Sequence, residues 1–261
     1  MAKNRAAIQG GPDLFQLDGR VALITGGTRG IGRAIARAMA ERGARVVIAS
    51  RKEEACSTAA AELRDLGYQA IGVRCHMGST ADIQNLVRSA SDHFGAIDVL
   101  VNNAANALAL PVGSFTEEAL QKSFDVNLKG PVLLIQEALP HLEASTTASV
   151  INVVSAGAWL FSGNVAMYAA AKAAMVSYTK SMAAALAPMG IRVNALAPGS
   201  VDTDMLRKTG TDSMKGMAAA CLLRRIAAPE EIAAPAVFLA SDASSYMTGS
   251  VLHVDGGLVT R

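Results

Sequence analysis

Two residues four apart, in Tyr168-Ala-Ala-Ala-Lys172, could move a proton. On a helix, positions i and i+4 share a face, so an ammonium at 172 lies beside a phenol at 168. A free phenol ionises near pH ~10, and a neighbouring cation favours its phenolate, which suits Tyr168 to acid or base work near neutral pH. The pattern is short enough to arise by chance, so its surroundings carry the argument. Ser155 stands at the expected end of the preceding strand. There it can give a hydroxyl hydrogen bond to a carbonyl oxygen on which negative charge develops. Without the tyrosine and lysine, the same serine would serve as well in a strand-end turn or an N-cap.

A second constellation supplies what such a pair could work on. Thr25-Gly-Gly-Thr-Arg-Gly-Ile-Gly32 follows an expected strand and opens an expected helix, the context of a dinucleotide-binding loop. Gly26 permits the tight turn, Gly30 lets backbone approach a pyrophosphate, and Gly32 allows helix to pack closely on strand; Thr28, Arg29 and Ile31 complete the surface. At the end of the second strand, Val47-Ile-Ala-Ser-Arg51 holds no carboxylate to repel a ribose 2′-phosphate. Ser50 can donate to that phosphate, Arg51 can pair with it through two bonds, and Arg29 can add a second cation. NADP(H) is therefore preferred and NAD(H) remains possible; the bland alternative makes both arginines solvated surface charges. An oxidised nicotinamide ring beside Tyr168 would favour the phenolate further.

The elements that must position these groups alternate. Short β-branched runs at 21–24, 45–49, 69–74, 99–101, 150–154, 191–196 and 251–254 are separated by helical patterns at 31–42, 53–66, 80–94, 116–139, 165–187 and 230–239. This rhythm predicts an α/β fold, a doubly wound parallel sheet of the Rossmann kind with helices on both faces. Gly43 and Gly67 end their helices as left-handed caps, Thr80 is a plausible N-cap, and Pro140 closes the helix begun at 116. Pro131, inside that pattern, should kink or break it. Residues 200–223 break the rhythm and read as a mobile insertion over the substrate, partly helical. Residues 1–16 read as a flexible tail and 17–261 as one catalytic domain.

These motifs, in this order, resemble those of the short-chain dehydrogenase/reductase family over residues 17–257. The glycine loop, Val101-Asn-Asn-Ala104, Asn127, Ser155, Tyr168 with Lys172, Pro198-Gly199 with Thr203, and Val254-Asp-Gly-Gly257 carry the likeness. The resemblance implies a seven-stranded sheet and a reversible hydride transfer between a nicotinamide cofactor and a carbonyl or alcohol. It makes Tyr168 the proton donor in reduction, Lys172 the holder of the nicotinamide ribose, Ser155 the orienter of the carbonyl and Asn127 the support of a water relay. It also implies cofactor contacts along Asn103 and Ala104, and at Pro198, Gly199, Val201 and Thr203. The chain departs from the family pattern in two places. Ala105 adds a methyl where the family has glycine. Cys75-His76-Met77 stands where an aspartate meets the adenine, so His76 or backbone at Met77 must replace it.

Composition narrows the classes. The chain has 261 residues, 51% of them hydrophobic, with 24 Lys+Arg against 22 Asp+Glu and no basic run, which disfavours nucleic acid as a partner. Lys172 and Lys180 interrupt the apolar stretch 167–188, arguing for a packed helix rather than a membrane span. Three scattered cysteines read as buried thiols in a cytoplasmic protein, and the four histidines have no metal-ligand spacing. Trp159, Phe161, Met205, Leu206, Met214 and Met217 could wall an apolar pocket or belong to core or subunit contacts. The expected function is NADPH-dependent reduction of a ketone, aldehyde or 3-oxoacyl-type carbonyl by a homotetramer, with small molecules as the only other partners. The alternatives are an NAD-dependent secondary-alcohol dehydrogenase and a dinucleotide-binding regulatory protein without turnover.

Overall fold

The computed structural model describes residues 14–161 and 163–259. Residues 1–13 of the expected tail lie outside that range. Residues 14–16 do not behave as a tail: the Leu14 carbonyl accepts from Ala243 N–H at 3.1 Å, and Phe15 rests against Phe238 with ring centroids 6.3 Å apart. An aromatic ring with an apolar neighbour within reach buries area rather than stay in water.

Seven strands form one parallel sheet: β1 (Val21–Thr25), β2 (Arg45–Ser50), β3 (Ala70–Arg74), β4 (Val99–Asn102), β5 (Ser149–Val153), β6 (Arg192–Pro198) and β7 (Val251–Val254), in the order β3-β2-β1-β4-β5-β6-β7. The helices are α1 (Gly30–Glu41), α2 (Glu53–Asp65), α3 (Thr80–Phe94), α4 (Glu117–Phe124), α5 (Gly130–Ala144), α6 (Ala166–Leu186), α7 (Asp204–Arg207), α8 (Thr211–Ala220) and α9 (Glu230–Ala240). Alternate strand residues feed two cores. Ala22, Ile24, Val46 and Ile48 pack with α1, α2 and α9, whereas Leu23, Val47, Leu100 and Val150 pack with α3, α5 and α6. A sheet covered on both faces needs apolar residues at every strand position, which is why the strands read as continuous hydrophobic runs. The expected doubly wound fold is the one observed.

Three local expectations change. The pattern at 116–139 is not one helix: α4 ends at Phe124, a π-helical turn occupies Asp125–Lys129, and α5 begins at Gly130. Backbone stays in the right-handed helical region across Phe124, Lys129 and Gly130, and Gly130 N–H bonds to Asp125 O, so the helical register widens into the π turn just before Pro131, which has no N–H to give. Pro140 does not close that helix, which runs to Ala144. Leu142 in the last turn is fully buried, and this packing outweighs the one lost backbone bond. The cap of α3 is Ser79 rather than Thr80: Ser79 Oγ accepts from Asp82 N–H at 3.2 Å and donates to Asp82 Oδ1 at 3.1 Å. Gly43 and Gly67 do adopt the left-handed conformation expected of them, at φ 88° and 89°.

Candidate active site

The chain leaves β1 for β2 on one side and later places β4 on the other, so the carboxyl ends of β1 and β4 part to form a crevice. Ligands of open parallel sheets bind at such switch points. The glycine loop fills its rim. Gly26 (φ 67°) and Gly30 (φ 53°) take backbone angles that side chains resist. A Cβ at Gly32 would stand 2.2 Å from the Gly26 carbonyl oxygen and 2.4 Å from Asn103 Nδ2. Gly32 is therefore required by the loop's own carbonyl and an asparagine, not by a strand. Arg29 caps α1 without a side-chain hydrogen bond, leaving the first N–H groups of the helix free of any capping side chain.

Much of the rim is held from within. Thr25 Oγ1 donates to Val101 O (3.2 Å) and accepts from the N–H groups of Asn103 (3.0 Å) and Ala104 (3.1 Å). Asn103 Nδ2 donates to Thr25 O (2.9 Å) and Gly26 O (3.3 Å), so its amide fixes the loop. Thr28 and Ile31 are partly buried, with Ile31 against the α1-side core.

On the β2 side, Ser50 is partly buried and Arg51 is exposed, with no hydrogen bond or ion pair to another described residue. Arg29 instead faces Asp204, Nη1 to Oδ2 at 3.6 Å. His76 follows β3, just after Cys75, whose N–H donates to Ser50 O at 2.8 Å, and its groups are largely engaged. Its N–H donates to Asp82 Oδ2 (2.9 Å), its carbonyl accepts from Ser79 N–H (2.8 Å), and its Nδ1 accepts from Gly78 N–H (3.2 Å). The ring is thus held with Nε2 outermost as donor when neutral. The Met77 side chain is buried in the α3-side core, leaving only its backbone to meet a ligand. Asp82, which the sequence did not single out, carries the negative charge of this corner. Its carboxylate lies below the usual range because His76 N–H, then Ser79, bond to it, and Arg74 lies nearby.

Ser155 ends the β5 connection and caps a short 3₁₀ turn, its Oγ accepting from Gly157 N–H at 3.1 Å. Its hydroxyl also acts on the Tyr168 phenol, favouring the phenolate. Lys172 is 3% exposed; its Nζ donates to Val153 O at 2.8 Å and lies 5.6 Å from the Tyr168 ring centroid. Burial pushes the lysine down to about 8. Burial also pushes the tyrosine up from 10, with only Ser155 pulling the other way. In the free protein the shift of the phenol is thus set by desolvation against Ser155, and the lowering expected from Lys172 is not among its causes.

Asn127 lies in the π-helical turn, 1% exposed, and its amide is fully employed. Oδ1 accepts from Asn106 N–H (3.0 Å), while Nδ2 donates to Asn106 O (2.8 Å) and Ser123 O (2.9 Å). Asn106 had no signal in the sequence: its part is played by its main chain, directly after the unusual Ala105. Opposite, Pro198 ends β6, and Gly199 packs so closely on Asp255 that a Cβ would lie 2.7 Å from its Cα. Val201 turns its side chain into the core, and Thr203 caps α7 with its methyl group 3.1 Å from where Gly30 would carry a Cβ. Trp159, 40% exposed, has its ring centroid 4.5 Å from that of His253. Ala104 backs onto the α3-side core.

Comparison with known proteins agrees with this geometry. A family model described as enoyl-(acyl carrier protein) reductase matches residues 26–259. A short-chain dehydrogenase/reductase SDRA of Arabidopsis thaliana is 40% identical over 94% of this chain and 97% of that one. A cis-4-hydroxycyclohexanecarboxylate dehydrogenase of Sinomonas cyclohexanicum is 41% identical over 91% of this chain and 96% of its own length. Among solved structures, a gluconate 5-dehydrogenase of Burkholderia cenocepacia, in complex with NADP and tartrate, superposes with TM-score 0.90 at 36% identity, covering 95% of this chain and 98% of that one. Matched nearly end to end in both sequence and structure, the chain belongs to the short-chain dehydrogenase/reductase family and is an NAD(P)-dependent oxidoreductase acting on alcohol or carbonyl groups.

Proposed function

We propose that the enzyme reduces a ketone, aldehyde or 3-oxoacyl-type carbonyl to an alcohol with NADPH, reversibly. The observation that carries this reading is the buried Lys172 nitrogen, fixed on Val153 O at 2.8 Å and 5.6 Å from the Tyr168 ring centroid, with Ser155 near enough to act on the phenol. The residues present fit a dinucleotide: an α1 terminus without a side-chain cap, a loop with no room for Cβ at Gly32, and the exposed Arg51 beyond Ser50. When bound, NADPH supplies the hydride.

Everything else falls to the chain. Ser155 donates to the carbonyl oxygen and holds it within reach of Tyr168. The Tyr168 O–H passes its proton to that oxygen as negative charge builds there, a role for which a raised pKa keeps the proton in place beforehand. Lys172 spends one N–H on Val153 O and turns the others to the nicotinamide ribose. Asn127, its amide clamping the main chain of residue 106, supports the water relay from Lys172 that recharges the phenol. Thr28, Gly30 and Thr203 face the phosphates. Pro198 and Gly199, with the Val201 backbone, face the nicotinamide; Asn103, Ala104, His76 and the Met77 backbone border the adenosine. Ser50, Arg51 and Arg29 favour NADPH by meeting its 2′-phosphate.

Tyr168→Phe removes the proton and keeps the ring. Turnover of an accepted ketone should fall by about 10²–10⁴-fold with NADPH affinity retained, and undiminished turnover would remove Tyr168 from the mechanism. A second reading, alcohol oxidation as the working direction, is favoured by two of the matched relatives being named dehydrogenases of hydroxy acids. We further propose that residues 200–223 cover the substrate and that the chain assembles as a homotetramer. Support for the latter comes from the partly exposed edge strand β7 and the fully exposed Tyr246 nearby. Among the described residues, no helix is long and apolar enough to cross a membrane.

A further inference from the structure

The glycine loop has two flanks. One meets β2: Gly27 N–H donates to Ala49 O at 3.2 Å, and a Cβ on Gly27 would lie 3.1 Å from Ile48 Cγ2, next to Ser50 and Arg51. The other meets the segment after β6, where the Thr203 methyl approaches Gly30. Arg29 stands between the flanks, and its guanidinium is turned to the second, 3.6 Å from Asp204 Oδ2. Arg207, the next cation along, is already bound by Asp202 through bonds of 2.7 and 3.0 Å, which leaves Arg29 as the principal partner of Asp204. Both members of the pair are exposed, 66% and 56%, and they touch at ion-pair rather than hydrogen-bond distance.

We infer that Asp204 is a specificity-determining residue for the cofactor: it holds Arg29 on the Thr203 flank, away from Ser50 and Arg51, and thereby weakens the enzyme's grip on the phosphate that distinguishes NADPH from NADH. The inference rests on the reading that Arg29 and Arg51 meet this phosphate. A phosphate carrying nearly two negative charges outcompetes one screened carboxylate, so the pair opens when NADPH binds. Opening it reduces affinity by the worth of an exposed ion pair, about two- to fivefold in an equilibrium constant. NADH makes no call on Arg29 and escapes that cost.

Calorimetric titration of the full chain with NADPH and with NADH tests this without reference to turnover. Asp204→Asn should tighten NADPH by about two- to fivefold and leave NADH unchanged, and the gain should vanish in Arg29→Gln/Asp204→Asn. Asp204→Ser repeats the measurement in case the amide makes a bond of its own. An unchanged or weaker NADPH constant in both variants overturns the inference, and so does equal tightening of both cofactors, which would place Asp204 against the diphosphate they share. Arg29→Gln alone separates the two levels. If it leaves the NADPH-to-NADH ratio as in the parent, the reading of Arg29 fails and the inference with it. If it lowers the ratio while Asp204→Asn does not raise it, only the inference fails.

Discussion

The glycine loop and the stretch from Asp204 to Ala220, which meet at the Arg29–Asp204 pair, are built in opposite ways. In the loop, polar groups are spent inward: one hydroxyl of Thr25 serves three backbone partners, and the Asn103 amide serves two carbonyls. In the other stretch, neither α7 nor α8 has a fully buried residue, the charges pair on the surface, and Gly210 and Gly216 have nothing within 4 Å of a would-be Cβ. The first is an arrangement with no spare volume, as reading a fixed diphosphate requires. The second can re-form at small cost, because few buried contacts are at stake.

The same substitution in each region should give effects of opposite sign. Gly32→Ala drives a methyl against a backbone oxygen that cannot move without unseating Asn103. We expect a loss of about 3 kcal/mol or more in denaturant unfolding, together with loss of cofactor binding. Lys172→Met removes a buried ammonium from the rigid side. Its folded pKa, about 8, lies below the unfolded value of 10.5, so charging it destabilises the fold at low pH and that cost disappears as pH rises from about 8 to 10.5. The variant should be inactive yet about 2 kcal/mol more stable below pH 8, after allowing for the bond lost at Val153 O, with the gap closing near pH ~9.5 and reversing above it. A gap independent of pH would show that Lys172 is not held near 8. Gly216→Ala, on the open side of α8, should stabilise by about 0.5–1 kcal/mol and slow amide exchange there. A loss instead would mean that this stretch packs on something.

The strands, the glycine loop and the Ser-Tyr-Lys constellation were legible because each is a local pattern: period, left-handed glycine, or i and i+4 spacing. The π-helical turn was not. Its register shift comes from Asn127 clamping the main chain of residue 106 and from Met77 O lying where a Cβ on residue 130 would sit, 2.3 Å away, contacts between segments far apart in the chain. Pro140 misled for a related reason, since its penalty is local and the compensating burial of Leu142 is tertiary. The resemblance implies a cofactor contact along Asn103, but no local pattern reports that its amide also turns back to hold the loop. The direction of the Tyr168 shift likewise depended on desolvation, which spacing does not report.

The inward turn of Asn103 bears on how cofactor choice could be re-engineered. Residues that give the loop its shape (Thr25, Gly32, Asn103) are a different set from those offering charge at its surface (Arg29, Arg51, Asp204). Electrostatic preference can therefore drift, or be rewritten, by exchanging solvent-facing side chains while the cradle beneath stays as it is. Such a division of labour lets one scaffold serve both phosphorylated and unphosphorylated coenzymes across its descendants.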